Sequence, residues 1–344
     1  MSWAIKGVPF VFKGVTNVMD CKTSKDVMIK AGLDWDVSKC EIMAKMPVEE
    51  AFGNGTDGFM MGSNFYKEIP NSFGIYRTDK NIPLGTVKGR YTPVQNTEVF
   101  SFFDNAIGKD KALWQTAGCF GNGERVFVSA KLPKTILVNG DPVDNYLLFV
   151  TSHDGSSGVK IVLTPIRVIC QNTLNAAIKN ATNYISFRHT IGVHNNIDSA
   201  SDILGICNTK INHCDGVYSE MAKIKIDDKT SHNYFVSAIL SPSEYSKLSE
   251  TGHNPSQIVN REWNAIEATG ISMKKVNTIS EINKYYYEGA GQQQLVGTGW
   301  GAYNAITGYY SNVDNSHGIK RMDSIILGDK ANKIKSSGDL IFTM

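Results

Sequence analysis

This chain lacks most of the features that assign a function on sight. It has no CxxC pair: Cys21, Cys40, Cys119, Cys170, Cys207 and Cys214 are scattered over 344 residues, which fits reduced thiols in a cytosolic protein better than a disulfide framework. Long apolar runs are missing too. The largest are the size of YLLFV, far below the roughly 20 residues that a membrane-spanning helix needs, so no membrane partner is expected. The opening stretch MSWAIKGVPFVFKGV carries no small-residue cleavage pattern, so no signal peptide is expected, and the sequons at Asn54 and Asn180 are then without consequence. Neither sign of charge is in excess. A formal net charge of +2 produces no global field, so any nucleic-acid function must come from a local patch. A phosphate loop is absent as well: Gly118–Gly123 (GCFGNG) lacks the lysine and the strand-to-helix context. There is no internal repeat and no low-complexity tail.

What is present is an ordinary globular composition, 42% hydrophobic and 20% charged, enough for one large domain or two ordinary ones. Residues 1–85 form an N-terminal segment rich in Gly, Asn and Met with weak periodicity. Its FGNGTDGFMMGSN stretch reads as a mobile loop or hairpin tip, and Trp35 as a packing anchor. Residues 86–197 read as a β-β-β-α core. Glu98–Ile107 sets Val99, Phe102, Phe103 and Ile107 at helical spacing. Arg125–Leu132 alternates, with Val126, Val128, Ala130 and Leu132 on one face and Phe127, Ser129 and Lys131 on the other. Asn139-Gly140 is a hairpin signal before a strand at Tyr146–Thr151. Asp154–Gly158 is a second turn before a strand at Lys160–Ile169, in which Pro165 requires an edge or a bulge. Asn172 or Thr173 would cap a helix that buries Leu174, Ala177, Ile178 and Ala181.

Residues 198–344 read as a helical region packed on this core. Ser199–Lys223 carries Ile203, Cys207, Ile211, Cys214, Tyr218 and Met221 at spacings of three and four, behind a capping box of Ser199 and Asp202. Ser241-Pro242-Ser243-Glu244 starts a helix, and Asn254-Pro255-Ser256-Gln257 starts another that runs through Trp263. Ser280–Tyr287 is a shorter helix, Gln292–Gly301 a glycine-rich loop and Trp300–Tyr310 a final helix. The fold class is therefore α+β, a central antiparallel sheet with a β-β-β-α core and a helical C-terminal half, in one compact unit.

Several runs in this frame are similar to those of a known family. AGLDW at Ala31–Trp35, RYTPVQN at Arg90–Asn96, SHDGS at Ser152–Ser156, TPIRVICQNTLN at Thr164–Asn175 and GTGWGAYNAITGYY at Gly297–Tyr310 resemble the phage/plasmid-like proteins grouped as domain-of-unknown-function family 932. The resemblance covers most of the chain, and the family has no settled biochemistry to carry over. Asp314-Asn315-Ser316-His317 departs from the family's more acidic and His-rich stretch at that place, which puts metal or acid/base use there in doubt. A three-stranded antiparallel sheet followed by a helix also resembles the core of phage single-strand annealing proteins. Those assemble into rings or filaments and lay the strand in a basic groove.

The candidate chemistry is sparse. His153-Asp154 before a Gly/Ser turn suggests a base with Ser156 or Ser157 as nucleophile. Neighbours on a strand point to opposite faces, however, and a hairpin with an Asx turn at Asp154 accounts for the same residues. Cys207 and Cys214 fall on the buried stripe of one helix with His213 nearby. His189 and His194 could share a metal only on a helix that Gly192 opposes. No metal, no cofactor and no catalytic residue is assigned. Local cations offer more. Lys131, Lys160, Arg167, Lys179 and Arg188 lie in or beside the core, and Arg90-Tyr91 opens the element before it. Lysine and arginine neutralise phosphates, and aromatic faces stack on unpaired bases. Alternation puts Lys160 and Arg167 on opposite faces unless Pro165 inserts a bulge. Three consecutive tyrosines at 285–287 cannot all be buried on one helix.

The expectation is a phage or plasmid DNA-metabolism protein of the (host) cytoplasm that binds single-stranded DNA. Strand annealing in recombination would be its activity, and a homo-oligomeric ring or filament its assembly. Two alternatives stand beside it. One is a non-catalytic self-assembling or partner-binding protein, the other an enzyme using the His153-Asp154 turn.

Overall fold

The structure, a computed structural model, describes residues 14–47, 58–107, 113–169, 172–173, 184–190, 203–316, 318–326 and 328–344. Strand β1 (Val15–Asn17) leads into helix α1 (Ser24–Ala31). Thr23 and Asp26 cap that helix reciprocally, and Gly32 closes it at φ 64°, a left-handed conformation that glycine adopts without strain. Strands β2 (Val37–Met46), β3 (Phe59–Met61), β4 (Asn64–Arg77) and β5 (Ile82–Lys88) form a four-stranded antiparallel sheet in the order β2-β4-β3, with β5 also on β4. Weak periodicity gives no strand in this region, and the structure supplies the reason. Its register shifts between Glu41 and Met43 and again between Ile75 and Tyr76, and the outer half is mostly exposed. The fully buried apolar face whose period marks a strand in the sequence does not then develop. Of the stretch at 52–64 expected as a mobile loop or hairpin tip, residues 58–64 contain the turn between β3 and β4, and 52–57 lie outside the described residues.

Helix α2 (Asn96–Ile107) follows where the periodicity places it. Strands β6 (Leu113–Phe120), β7 (Arg125–Val138), β8 (Asp141–Ser152), β9 (Val159–Arg167), β10 (Asn172–Thr173) and β11 (Tyr184–Phe187) join β1 in a seven-stranded antiparallel sheet. Its order is β1-β6-β7-β8-β9-β10, with β11 also on β9. Asn139 (φ 50°) and Gly140 (φ 86°) make the β7–β8 turn, both left-handed as a two-residue hairpin demands. Pairing of β8 with β9 runs unshifted from Val143↔Arg167 to Val150↔Lys160, so Pro165 inserts no bulge. It lies in a gap instead: β11 pairs with β9 as far as Val162 and β10 from Ile166 onward. No ladder partner needs its missing N–H. Asn172-Thr173 is strand, not a helix cap; the helix expected at 174–181, with Lys179, lies outside the described residues.

The C-terminal half is helical: α3 (Ile203–Lys223), α4 (Asp228–Ile239), α5 (Pro242–Glu250), α6 (Pro255–Val259), α7 (Trp263–Thr269), α8 (Met273–Glu288), α9 (Gly299–Gly308), a π-helical turn (Tyr309–Val313), α10 (Gly318–Ile326) and α11 (Asp329–Leu340). Cys207, Ile211, Cys214, Tyr218 and Met221 are buried along α3 as their spacing requires. Both proline-led capping boxes form, at Ser241/Glu244 and Asn254/Gln257. The second helix stops early because Arg261 takes φ 57°, and α7 begins afresh at Trp263. Of the three tyrosines, Tyr286 is buried while Tyr285 and Tyr287 stay half-exposed. Every residue of α9 is buried, making it the central strut of this half.

The two faces of the large sheet meet different partners. Val126, Val128, Leu147, Phe149, Ile161 and Leu163 enter the main core with the small sheet and most helices. On the outer face Phe127, Tyr146, Leu148, Val150, Val162 and Ile166 form a second cluster, closed by Met322 and Ile326 of α10.

Candidate functional site

Three of the family-like runs meet at the seam between the two sheets. Gln95 acts as an extra strand residue for β2: its Oε1 accepts from Val37 N–H at 2.9 Å and its Nε2 donates to Val37 C=O at 3.0 Å. Asn96 Nδ2 donates to the carbonyls of Leu33 and Trp35 at 3.0 and 3.1 Å. That fixes the amide orientation and turns Oδ1 toward His153, whose Nε2 lies 3.0 Å away. Nε2 therefore carries the proton, and Nδ1 is buried without a partner. Trp35 packs edge-on against the His153 ring at 5.4 Å, and the Arg77 guanidinium covers Trp35 at 4.1 Å. Tyr91 stacks on His189 at 4.7 Å and donates to Ser152 C=O at 3.0 Å.

This seam is structural in geometry. His153 is fully buried, and removal from water lowers its pKa to about 3; burial likewise lowers His189 to about 4. Asp154 Oδ1 accepts from Ser156 N–H at 2.9 Å, the Asx turn of the hairpin reading. Neither Ser156 nor Ser157 bonds to His153; Ser157 N–H donates to Ser152 Oγ instead, at 2.9 Å. The base-and-nucleophile arrangement does not form.

A second convergence lies under the large sheet. Asp141 Oδ2 accepts from Arg167 Nε at 2.6 Å and from Trp300 Nε1 at 2.9 Å, and Arg167 Nη2 donates to Gly291 C=O at 2.7 Å. Arg167 is 0% exposed. This corrects its assignment as a DNA contact: its side chain faces the main core and ties β8 and β9 to the loop before α9. A buried guanidinium persists only when paired and fully hydrogen-bonded.

The other expected cations that are described do not all share one face. Lys131 sits on the outer face of β7 and pairs with Asp144 at 2.6 Å. Lys160 is also on the outer face, opposite to Arg167 as the unshifted register requires. Arg90 and Arg188 are exposed at the far seam, brought together by Thr92 N–H donating to His189 C=O at 3.0 Å. Cys207 and Cys214 are core residues whose thiols burial pushes up to about 11 and about 12. Among the described residues no three His, Cys, Asp or Glu side chains are placed to hold a metal, and no helix is long and apolar enough to cross a membrane.

A concave surface that joins basic side chains lies elsewhere among the described residues. A cleft of about 1330 Å³ opens between α8, the π-helical turn and α11. Arg261, Lys274, Lys275, Lys330 and Lys333 line it, with Glu281, Asp314 and Asp329 as its acids. Ser324 and Asp329 are walls that it shares with a second cleft of about 490 Å³, which carries Arg125, Lys160 and Lys320 with Asp323. Four cations are held locally: Lys275 by Glu244 at 2.6 Å, Arg261 by Glu281 at 3.7 Å, Lys330 by Asp314, and Arg125 by Asp323. Lys274, Lys320 and Lys333 point to solvent. The π-helical turn leaves Tyr309 half-exposed on the cleft wall, with Thr278 Oγ1 3.3 Å from its hydroxyl; such turns recur at functional sites. Sequence reasoning missed these residues because they come from four separated segments. Of the expected residues that are described, only Lys160 borders this surface.

The family model described as Domain of unknown function (DUF932) matches residues 83–333, from β5 into α11. No curated protein and no solved structure matches the chain. The matched span contains the large sheet from β6 onward, His153 with its partner Asn96, the Arg167 hub, and both clefts. On that span the chain belongs to the DUF932 family.

Proposed function

We propose that this chain binds single-stranded DNA along the joined clefts, as part of phage or plasmid DNA metabolism, with strand annealing as its candidate activity. The observation that carries the reading is the run of cations from Lys160 and Arg125 past Lys320 to Lys333 and Lys274. They outnumber the acids beside them and supply a local positive track on a chain of nearly neutral net charge. Phosphates would lie against the solvated lysines, where released counterions provide the driving force. Tyr309 offers one aromatic face for an unpaired base. The acids already paired with Lys330, Lys275 and Arg125 hold those cations in place.

The test is a labelled-oligonucleotide titration, single-stranded against duplex, at several salt concentrations. Single strands should bind preferentially, with a log–log salt slope of roughly −0.7 per phosphate neutralised. The double variant Lys274→Glu/Lys333→Glu should weaken binding by about tenfold or more and flatten that slope, while Arg90→Ala/Arg188→Ala at the far seam should leave it unchanged. No binding at low salt would discard the reading. Loss confined to the Arg90/Arg188 variant would move the site to the far seam.

A further inference from the structure

We propose that two copies of this chain pair through the free edge of β2, antiparallel about a two-fold axis at Met43. Strand β2 bonds to β4 on one side, and among the described residues no strand covers its other edge. Gln95 occupies that edge at Val37; beyond it the outer half of β2 is a template for another strand unless something blunts it. Here the side chains favour one occupant. Burial alternates along the outer half: Glu41, Met43 and Lys45 are exposed, Ile42, Ala44 and Met46 half-buried. Neither Glu41 nor Lys45 has an ion-pair partner among the described residues.

Placing Met43 opposite its own copy sets Glu41 opposite the partner's Lys45 and Lys45 opposite the partner's Glu41. On the other face, Ile42 meets the partner's Ala44 and Cys40 meets the partner's Met46. Within Cys40–Met46 each charge is matched on one face and the residues on the other are apolar. A slip of one residue in either direction leaves both charges opposite uncharged side chains, so the pattern selects this register. Pro47, which has no N–H to donate, ends the ladder on each side. The two small sheets would merge into one. Because the same patch serves both copies, the interface closes on itself and gives a dimer, not an open filament.

Sedimentation equilibrium of the full chain through the micromolar range tests this. A dimer is expected. Glu41→Lys alone and Lys45→Glu alone each set like charges opposite one another at both ends of the ladder, and each should weaken dimerisation on the order of tenfold; the double swap should restore it. Both positions are exposed, so folding is not at stake. Residues opposite one another on antiparallel strands have Cα atoms about 4.5–5.5 Å apart, within disulfide range. Met43→Cys in a Cys40→Ser background should therefore crosslink under mild oxidation, whereas Cys40→Ser alone should not. A monomer at all concentrations, a dimer indifferent to both charge reversals, or no Met43→Cys crosslink each overturns the proposal.

Discussion

At the scale of single residues, burial decides what a side chain can do. His153 and His189 show the consequence most directly. Both are kept neutral in the fold, at about 3 and about 4, against about 6.5 in an unfolded chain. The unfolded state therefore binds protons that the folded state refuses as pH falls below 6.5. The sign follows: stability contributed by the two rings is present above 6.5 and is lost on acidification toward pH 4, at up to about 1.4 kcal/mol per pH unit for each. Thermal melts of the wild type and of His153→Gln over that window should show a shallower acid loss in the variant, which keeps a donor for Asn96 but cannot titrate. Equal slopes would mean that His153 takes up its proton without cost. Arg167 makes the same point for site prediction. Its neighbours on β9 identify the face it occupies, but only the helices packed beneath that face make it a buried structural cation.

At the scale of elements, much was legible. The alternation in β7, the Asn139-Gly140 turn, the α3 stripe and both proline-led caps all follow from local rules, because in each case the local preference and the tertiary environment agree. The misses occur where they conflict. Strands β2 and β4 carry register shifts that break the period, and α6 is cut short by a left-handed residue at Arg261. The GTGWG run reads as a flexible loop, yet its last glycine is the most constrained. A Cβ at Gly301 would lie 2.2 Å from the Leu295 carbonyl oxygen, and Gly301 C=O also accepts from Gln292 at 3.1 Å. Gly301 lies inside α9, where alanine is the better helix former. Gly301→Ala should nonetheless destabilise by about 1–3 kcal/mol through overpacking, readable as a lower denaturation midpoint. Unchanged stability would show that the loop before α9 can yield.

For the whole molecule, the unequal covering of the large sheet sets where the structure opens. Its inner face shares one core with the small sheet and most helices, while its outer cluster depends on Met322 and Ile326 of α10. Regions with few buried apolar contacts open at lower free energy. Amides of α10 should therefore exchange with deuterium well before those of α9, all of whose residues are buried. Because α10 supplies Lys320 and Ser324 to the joined clefts, a bound single strand should slow exchange in α10 and α11 and leave α1 and β2 untouched. Protection that spreads evenly, or none, would argue against ligand binding at the clefts.

The sequence by itself determined the α+β class, the Asn139-Gly140 hairpin, both proline-led caps, the buried stripe of α3 and the family, because each depends on residues close in the chain and on the period of their pattern. Only the tertiary structure decided which cations meet. Lys160, Lys274, Lys320 and Lys333 come from one strand and three helices far apart in sequence, and their approach is set by how α8, α10 and α11 pack. It also decided that Arg167 turns inward and that His153 is held by Asn96, since burial belongs to the packed chain and not to any segment of it.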